Sequence, residues 1–141
     1  MMIYCDTSLV VAVLAREPSS QRAQDWIAAL DTAELCISDW VVTEFSGALA
    51  LKARTGQISA ELRAAIRTRW QSFLTSALSV EEVRRDAFEL AARFCDLQNS
   101  ALRSGDALHL AIASLGGHSL ATLDKAMAEA ALAVGVTVEP V

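Results

Sequence analysis

Short apolar runs alternate with amphipathic stretches along this chain. Residues 2–5 (Met-Ile-Tyr-Cys) are β-prone and lead straight into Asp6, Thr7 and Ser8, whose hydroxyls suit the cap of a helix over 9–15. After Pro18, Ala23, Trp26, Ile27 and Leu30 recur at helical spacing. Residues 34–37 read as a second strand, and Ser38 is placed to cap a long helix from Asp39 towards Arg54 that Gly56 ends. Ser59, Leu62, Ile66, Trp70, Phe73 and Leu74 mark the next amphipathic helix, which pairs with its predecessor as a helical hairpin across Thr55, Gly56 and Gln57.

Further on, residues 78–80 predict a third strand. Ala87, Leu90, Ala91, Phe94 and Cys95 predict a helix, as do Leu108, Ala111, Ile112 and Leu115, with Gly116 and Gly117 as the stop. A strand over 119–122, a helix over 124–134 and a final strand over 136–138 complete the pattern. Strands separated by helices predict an α/β fold with a parallel sheet covered on both faces. At 141 residues the chain fits a single domain, 1–141, with no linker, internal repeat or low-complexity tract.

Hydrophobic residues make up 53% of the sequence, yet no run approaches the roughly 18 apolar residues of a membrane span. The start of the chain also lacks a basic segment leading an apolar one. A soluble, cytoplasmic protein with no membrane partner is the expectation. Cys5, Cys36 and Cys95 are far apart, lie in apolar surroundings and lack C-x-x-C spacing, which predicts buried free thiols in a reducing compartment. The net charge of −5 argues against a nucleic-acid binder until its distribution is considered. Lys52, Arg54, Arg63, Arg67 and Arg69 face a single acid, Glu61, within their own segment. Such a basic stretch on an acidic body can steer a polyanion, or can be the solvated face of two ordinary helices.

Four acids stand where the pattern asks for apolar or capping residues: Asp6, Glu44, Asp106 and Asp124. Asp6 also suits a turn, Asp124 a helix cap, and Asp106 the first turn of a helix, where the macrodipole favours an anion. Glu44 has no such bland explanation, because Trp40, Val41, Gly47 and Ala48 surround it on its helix face. A carboxylate turned inwards needs a cation, a donor or a metal. In an open parallel sheet, sites form beyond the carboxyl ends of the strands. Asp6 and Asp124 follow predicted strands, while Glu44 and Asp106 lie early in helices that reach the same edge. Gathered there, four carboxylates would repel unless a divalent cation held them, and an all-oxygen set suits Mg²⁺ or Mn²⁺.

Residues 4–8 (Tyr-Cys-Asp-Thr-Ser), 42–45 (Val-Thr-Glu-Phe), 103–111 (Arg-Ser-Gly-Asp-Ala-Leu-His-Leu-Ala) and 120–124 (Leu-Ala-Thr-Leu-Asp) together resemble the PIN domain, most closely its VapC-type toxin ribonucleases. The resemblance implies a three-layer α/β/α fold with a mainly parallel central sheet and a helical hairpin. It implies a Mg²⁺- or Mn²⁺-dependent endoribonuclease, the toxin of a type II toxin–antitoxin pair, homodimeric and neutralised by a cognate antitoxin. It carries the metal-binding, catalytic quartet onto Asp6, Glu44, Asp106 and Asp124. Thr7 or Ser8 and Thr122 match positions where the family places a hydroxyl near the metal or its waters.

Arg103 is a candidate for a phosphate contact or a salt bridge to one of the acids, and the segment from Lys52 to Arg69 for RNA or antitoxin contact. His109, three residues beyond Asp106, reads as a hydrogen-bonded structural histidine rather than a ligand, His118 as loop, and Trp26, Trp40, Trp70 and Phe73 as core. One rival is a non-catalytic PIN-fold module that binds RNA or protein. Another is a receiver- or phosphatase-like domain, which wants a second acid beside Asp6 that this chain lacks.

Overall fold

The computed structural model of the chain describes residues 1–31, 34–76, 78–97 and 100–141. Strands β1 (Ile3–Cys5), β2 (Leu35–Ser38), β3 (Ser79–Glu81) and β4 (Ser119–Ala121) pair in the order β3-β2-β1-β4, every neighbour parallel. Tyr4 sits in register with Cys36 on one side and Leu120 on the other. Seven helices are described among these residues: α1 (Thr7–Leu14), α2 (Ser20–Ala28), α3 (Asp39–Arg54), α4 (Ala60–Ser76), α5 (Arg85–Cys95), α6 (Ser104–Gly116) and α7 (Lys125–Ala133). The chain steps outward from β1 to β2 to β3, then reverses to place β4 on the far side of β1. Right-handed crossovers put α1–α4 on one face of the sheet and α5–α7 on the other. The packing agrees, for α1 contacts α2, α3 and α4, whereas α6 contacts α5 and α7.

The parallel sheet is apolar because both faces are covered. Tyr4, Cys36, Ile37 and Leu120 are fully buried, and α1 is buried along Leu9, Val10, Val11, Ala12, Val13 and Leu14. The predicted helical hairpin forms between α3 and α4. Gly56 adopts φ 75°, the left-handed conformation that closes α3, with Gln57 N–H on the Lys52 carbonyl and Gly56 N–H on that of Ala53. Trp70 of α4 then stacks on Phe45 of α3 with ring centroids 4.4 Å apart.

Three local expectations change. Helix α1 begins at Thr7, two residues early, because the Asp6 carboxylate rather than a hydroxyl caps it, accepting from Leu9 N–H at 3.1 Å. Ser38 occupies the N-cap of α3, but its side chain makes no cap bond; its hydroxyl pairs with that of Tyr4 at 2.8 Å. Residues 136–138 form a single parallel bridge, Leu120 to Val138, rather than a strand. Leu120 N–H bonds to the Thr137 carbonyl and Glu139 N–H to that of Leu120, after which Pro140 has no N–H to extend the ladder.

Candidate metal centre

In a sheet whose strand order reverses, a crevice opens at the carboxyl ends of the strands flanking the reversal. Here that place lies between β1 and β4. Asp6 follows β1, Thr122 and Asp124 follow β4, and Asp6 N–H bonds to the Ala121 carbonyl at 3.1 Å, drawing the two strand ends together. Helix α3 begins where β2 ends, which brings Glu44 to the same edge. Helix α6 runs back before β4, so its first turn, with Asp106, arrives there too.

Asp6 is 1% exposed and held from several sides. Its Oδ1 accepts from the Ser8 hydroxyl at 2.7 Å and from Leu9 N–H, and its Oδ2 accepts from the Thr122 hydroxyl at 2.5 Å. Burial pushes its carboxyl above the usual range, against the pull of those donors and of His109. The same two hydroxyls bind the loop after β4: Leu123 N–H donates to Ser8 Oγ, and Asp124 N–H to Thr122 Oγ1. Ser8 and Thr122 thus orient Asp6 and brace the turn that carries Asp124.

Glu44 is half-buried, and its Oε1 accepts from the Thr7 hydroxyl at 2.6 Å and lies 2.5 Å from His109 Nε2. Burial alone would raise its carboxyl, but the bonds from His109 and Thr7 bring it below the ordinary range. Its Oε2 has no hydrogen-bond partner among the described residues. A methyl group on Gly105 would sit 3.4 Å from that oxygen, so the bare backbone of α6 leaves it open. Asp124 caps α7 through Oδ1, accepting from Met127 N–H at 3.1 Å, and its Oδ2 is unpartnered among the described residues.

Asp106 differs from the other three, since no donor among the described residues reaches either oxygen. Its carboxyl lies above the usual range because of burial first, then the negative charge of Asp124, with Glu44 and Asp6 adding and His109 opposing. Asp106 therefore feels the charges of the other three acids across the crevice. Glu44, Asp106 and Asp124 keep oxygens free of donors among the described residues, and the set is all oxygen, which fits a hard divalent cation. Beside Asp106 an apolar cleft of about 330 Å³ opens, lined in part by Phe94, Leu102, Met127 and Ala130.

One trio among the described residues has metal-capable atoms all within 4.8 Å of one another, and it lies elsewhere: Cys36, Glu81 and His118. No three of the four acids come that close to one another. The trio is ill-suited to a metal. His118 Nδ1 accepts from Met2 N–H at 3.2 Å, so Nε2 carries the hydrogen and gives it to Glu81 at 2.5 Å, leaving the ring no lone pair for a ligand bond. The Cys36 thiol, pushed up to about 12 by burial and by Glu81, stays protonated. His118, in the loop between α6 and β4 as the sequence suggests, thus clasps Met2, just before β1, to Glu81 of β3.

The remaining candidates fall in two places. Arg103 is exposed at the N-cap of α6 with no ion pair among the described residues. Arg54, Arg67 and Arg69 are exposed on the α3–α4 hairpin, Arg63 is half-buried, and Lys52 is tied to Glu17 at 2.5 Å. Arg54 lies about 15 Å along α3 from Glu44 at 1.5 Å per residue. Arg69, next to the Trp70 that stacks on Phe45, returns to the level of Glu44. Trp70 is core, whereas Trp26 and Trp40 are half-buried. Cys5 and Cys36 are buried free thiols, Cys95 a half-buried one.

A parallel sheet in the order β3-β2-β1-β4, with acids at the crevice where that order reverses, defines an open α/β domain with its crevice at the strand ends. The family model described as the PIN domain matches residues 3–132, and the chain belongs to that family. FitAcB from Neisseria gonorrhoeae shares the fold at 18% identity and TM-score 0.78, over 99% of this chain and 97% of that one. VapC20 from Mycobacterium tuberculosis, a sarcin–ricin-loop-cleaving toxin, aligns at 21% identity and TM-score 0.72 over 98% and 99%. VapBC2 from Rickettsia felis, bound to a DNA fragment from its promoter, aligns at 14% and 0.74 over 99% and 98%. At these identities the likeness establishes the fold. No curated protein matches the sequence. None of the helices among the described residues is long and apolar enough to cross a membrane.

Proposed function

We propose that this chain is a divalent-metal-dependent endoribonuclease, the toxin of a toxin–antitoxin pair, with Mg²⁺ or Mn²⁺ held by Asp6, Glu44, Asp106 and Asp124. The observation that carries the reading is Asp106, a carboxylate with no internal donor whose pKa is raised by burial and by the charges of the other three acids. A group in that position is relieved by a cation, and a perturbed acid in a cleft marks a candidate functional site. The toxin neighbours support the choice of substrate class and of an antitoxin partner.

When bound, the ion supplies Lewis-acid chemistry, lowering the pKa of water and offsetting charge on the scissile phosphate. The protein's own residues do the rest. Ser8 and Thr122 fix Asp6, Thr7 and His109 fix Glu44, and the α7 cap fixes Asp124, so three ligands are pre-oriented while Asp106 completes the set. Arg67 and Arg69 are the side chains we assign to the RNA backbone or the antitoxin. A single domain over 1–141, a homodimer and a cytoplasmic location belong to the same reading.

The test is cleavage of RNA by metal-stripped protein to which Mg²⁺ or Mn²⁺ is restored, with Asp6→Asn and Asp106→Asn alongside. Cleavage that needs the ion and is lost in both variants is the expected result. Undiminished cleavage by both rejects the assignment.

A further inference from the structure

A buried chain of polar groups runs through the centre of the molecule and ends on Glu44. Ser38 Oγ lies 2.8 Å from Tyr4 Oη, Tyr4 Oη 2.9 Å from His109 Nδ1, and His109 Nε2 2.5 Å from Glu44 Oε1. The four residues come from β2, β1, α6 and α3, and Thr7 of α1 closes the chain by donating to the same Glu44 oxygen. Tyr4 and Ser38 are fully buried and His109 is 2% exposed, so water does not substitute for these three.

The hydrogen positions follow from chemistry. Glu44 is ionised and accepts only, so the His109 nitrogen facing it must carry a hydrogen. Nε2 therefore donates whether the ring is neutral or charged. Burial holds the Tyr4 phenol in its protonated form, and a hydroxyl both gives and takes, so it satisfies Nδ1 in either state of the ring. Two donors, His109 and Thr7, then occupy Oε1, and the bare Gly105 backbone leaves Oε2 as the open oxygen.

We propose that His109 is a positioning residue for Glu44: it pins Oε1 and thereby presents Oε2 alone to the cation. This rests on the metal-centre reading above. Partners of this kind behind a metal ligand change metal affinity about 10- to 100-fold when removed. Tyr4 and Ser38 set the plane of the ring, and act one step further back.

The experiment is Mn²⁺ titration of metal-stripped protein, read by electron paramagnetic resonance of the free ion. It compares wild type, His109→Phe, His109→Gln, Tyr4→Phe, Glu44→Gln and the His109→Phe/Glu44→Gln double variant. His109→Phe should raise the Mn²⁺ Kd about tenfold. His109→Gln, whose amide N–H reaches the same place, should restore most of that affinity. Tyr4→Phe, which preserves the packed shape, should weaken binding less than His109→Phe. In the Glu44→Gln background His109→Phe should have no further effect, because the oxygen it pins is gone. Nitrogen-15 shifts of the two histidines in metal-free protein should show hydrogen on Nε2 of His109.

Wild-type Mn²⁺ affinity in both His109→Phe and Tyr4→Phe overturns the proposal, as does an undiminished loss in the Glu44→Gln background or a neutral ring with hydrogen on Nδ1 alone. Unchanged Mn²⁺ affinity in Glu44→Gln itself overturns instead the metal-centre reading on which the proposal stands.

Discussion

The Thr122 hydroxyl donates to Oδ2 of Asp6 at 2.5 Å across 116 residues of chain, joining the ends of the two strands between which the sheet reverses its order. Thr122→Val keeps the side-chain volume and removes the donor, leaving a buried carboxylate underserved at a cost of about 1–3 kcal/mol. The pH dependence has a definite sign. Burial raises the Asp6 pKa in the fold despite its donors, so its contribution favours folding below the unfolded value and is lost as pH rises through the folded one. Losing Thr122 raises that pKa further. Urea melts of metal-free protein should therefore show the larger Thr122→Val penalty at neutral pH and a smaller one in acid; equal penalties would dispose of the explanation.

Asp106 gives the opposite kind of variant. Its raised carboxyl means that ionised Asp106 opposes folding of the metal-free protein in full above the folded pKa, and that this opposition fades as pH falls through the folded value towards the unfolded one. Asp106→Asn should accordingly raise the Tm of stripped protein at neutral pH, with the difference fading in acid. Added Mn²⁺ should reverse the order, since wild type gains stability from binding and the variant gains less. Scanning calorimetry with and without Mn²⁺ reads both halves.

Thr122 stands out only through the family resemblance, whereas the acids stand out in the sequence itself, and the reason is local. Asp6, Asp106 and Asp124 mark a turn or the start of a helix, and Glu44 interrupts an apolar face, so a reading of periodicity finds each without knowledge of the fold. The strands and the α3–α4 hairpin were legible for the same reason. What periodicity does not carry is pairing between distant segments. The His109–Glu44 and Tyr4–His109 bonds span 65 and 105 residues, and although His109 reads as a hydrogen-bonded histidine, its partners are not written beside it. Ser38 stands at a cap position, but a buried phenol 34 residues away draws its hydroxyl. Residues 136–138 have the composition of a strand, yet meet β4 at one bridge before Pro140 ends the ladder.

Asp124 separates two roles in one side chain. Asn caps helices about as well as Asp, whereas Ala forfeits roughly 1 kcal/mol. Asp124→Asn should melt near the wild-type temperature and lose Mn²⁺ affinity, and Asp124→Ala should lose both. A matched drop in Tm for Asn and Ala would show that the charge, not the cap, holds the start of α7.

Among the basic residues, Lys52 is committed to Glu17, while Arg67 and Arg69 are exposed and free of ion pairs among the described residues. If the hairpin meets the RNA backbone, Arg67→Ala and Arg69→Ala should each weaken RNA binding and flatten its salt dependence by about one unit of slope or a little less. Lys52→Ala should instead act mainly on stability, through Glu17. Filter binding over a salt series distinguishes these; a Lys52 effect as large as those of the arginines would shift the RNA surface towards α2.

Gly105 offers a test in which stability and function move apart. It is the second residue of α6, where alanine is the better helix former by up to about 1 kcal/mol, and an added methyl would rest at ordinary contact distance, 3.5 Å from the Trp40 ring and 3.4 Å from Glu44 Oε2. Gly105→Ala should therefore fold at least as stably as wild type. The methyl, however, covers the one Glu44 oxygen that Thr7 and His109 leave open, displacing solvent and any cation from it. Raised Tm with weakened Mn²⁺ binding is the expected pair of results. Raised Tm with unaltered Mn²⁺ binding would mean that the ion does not approach Glu44 from the side of α6.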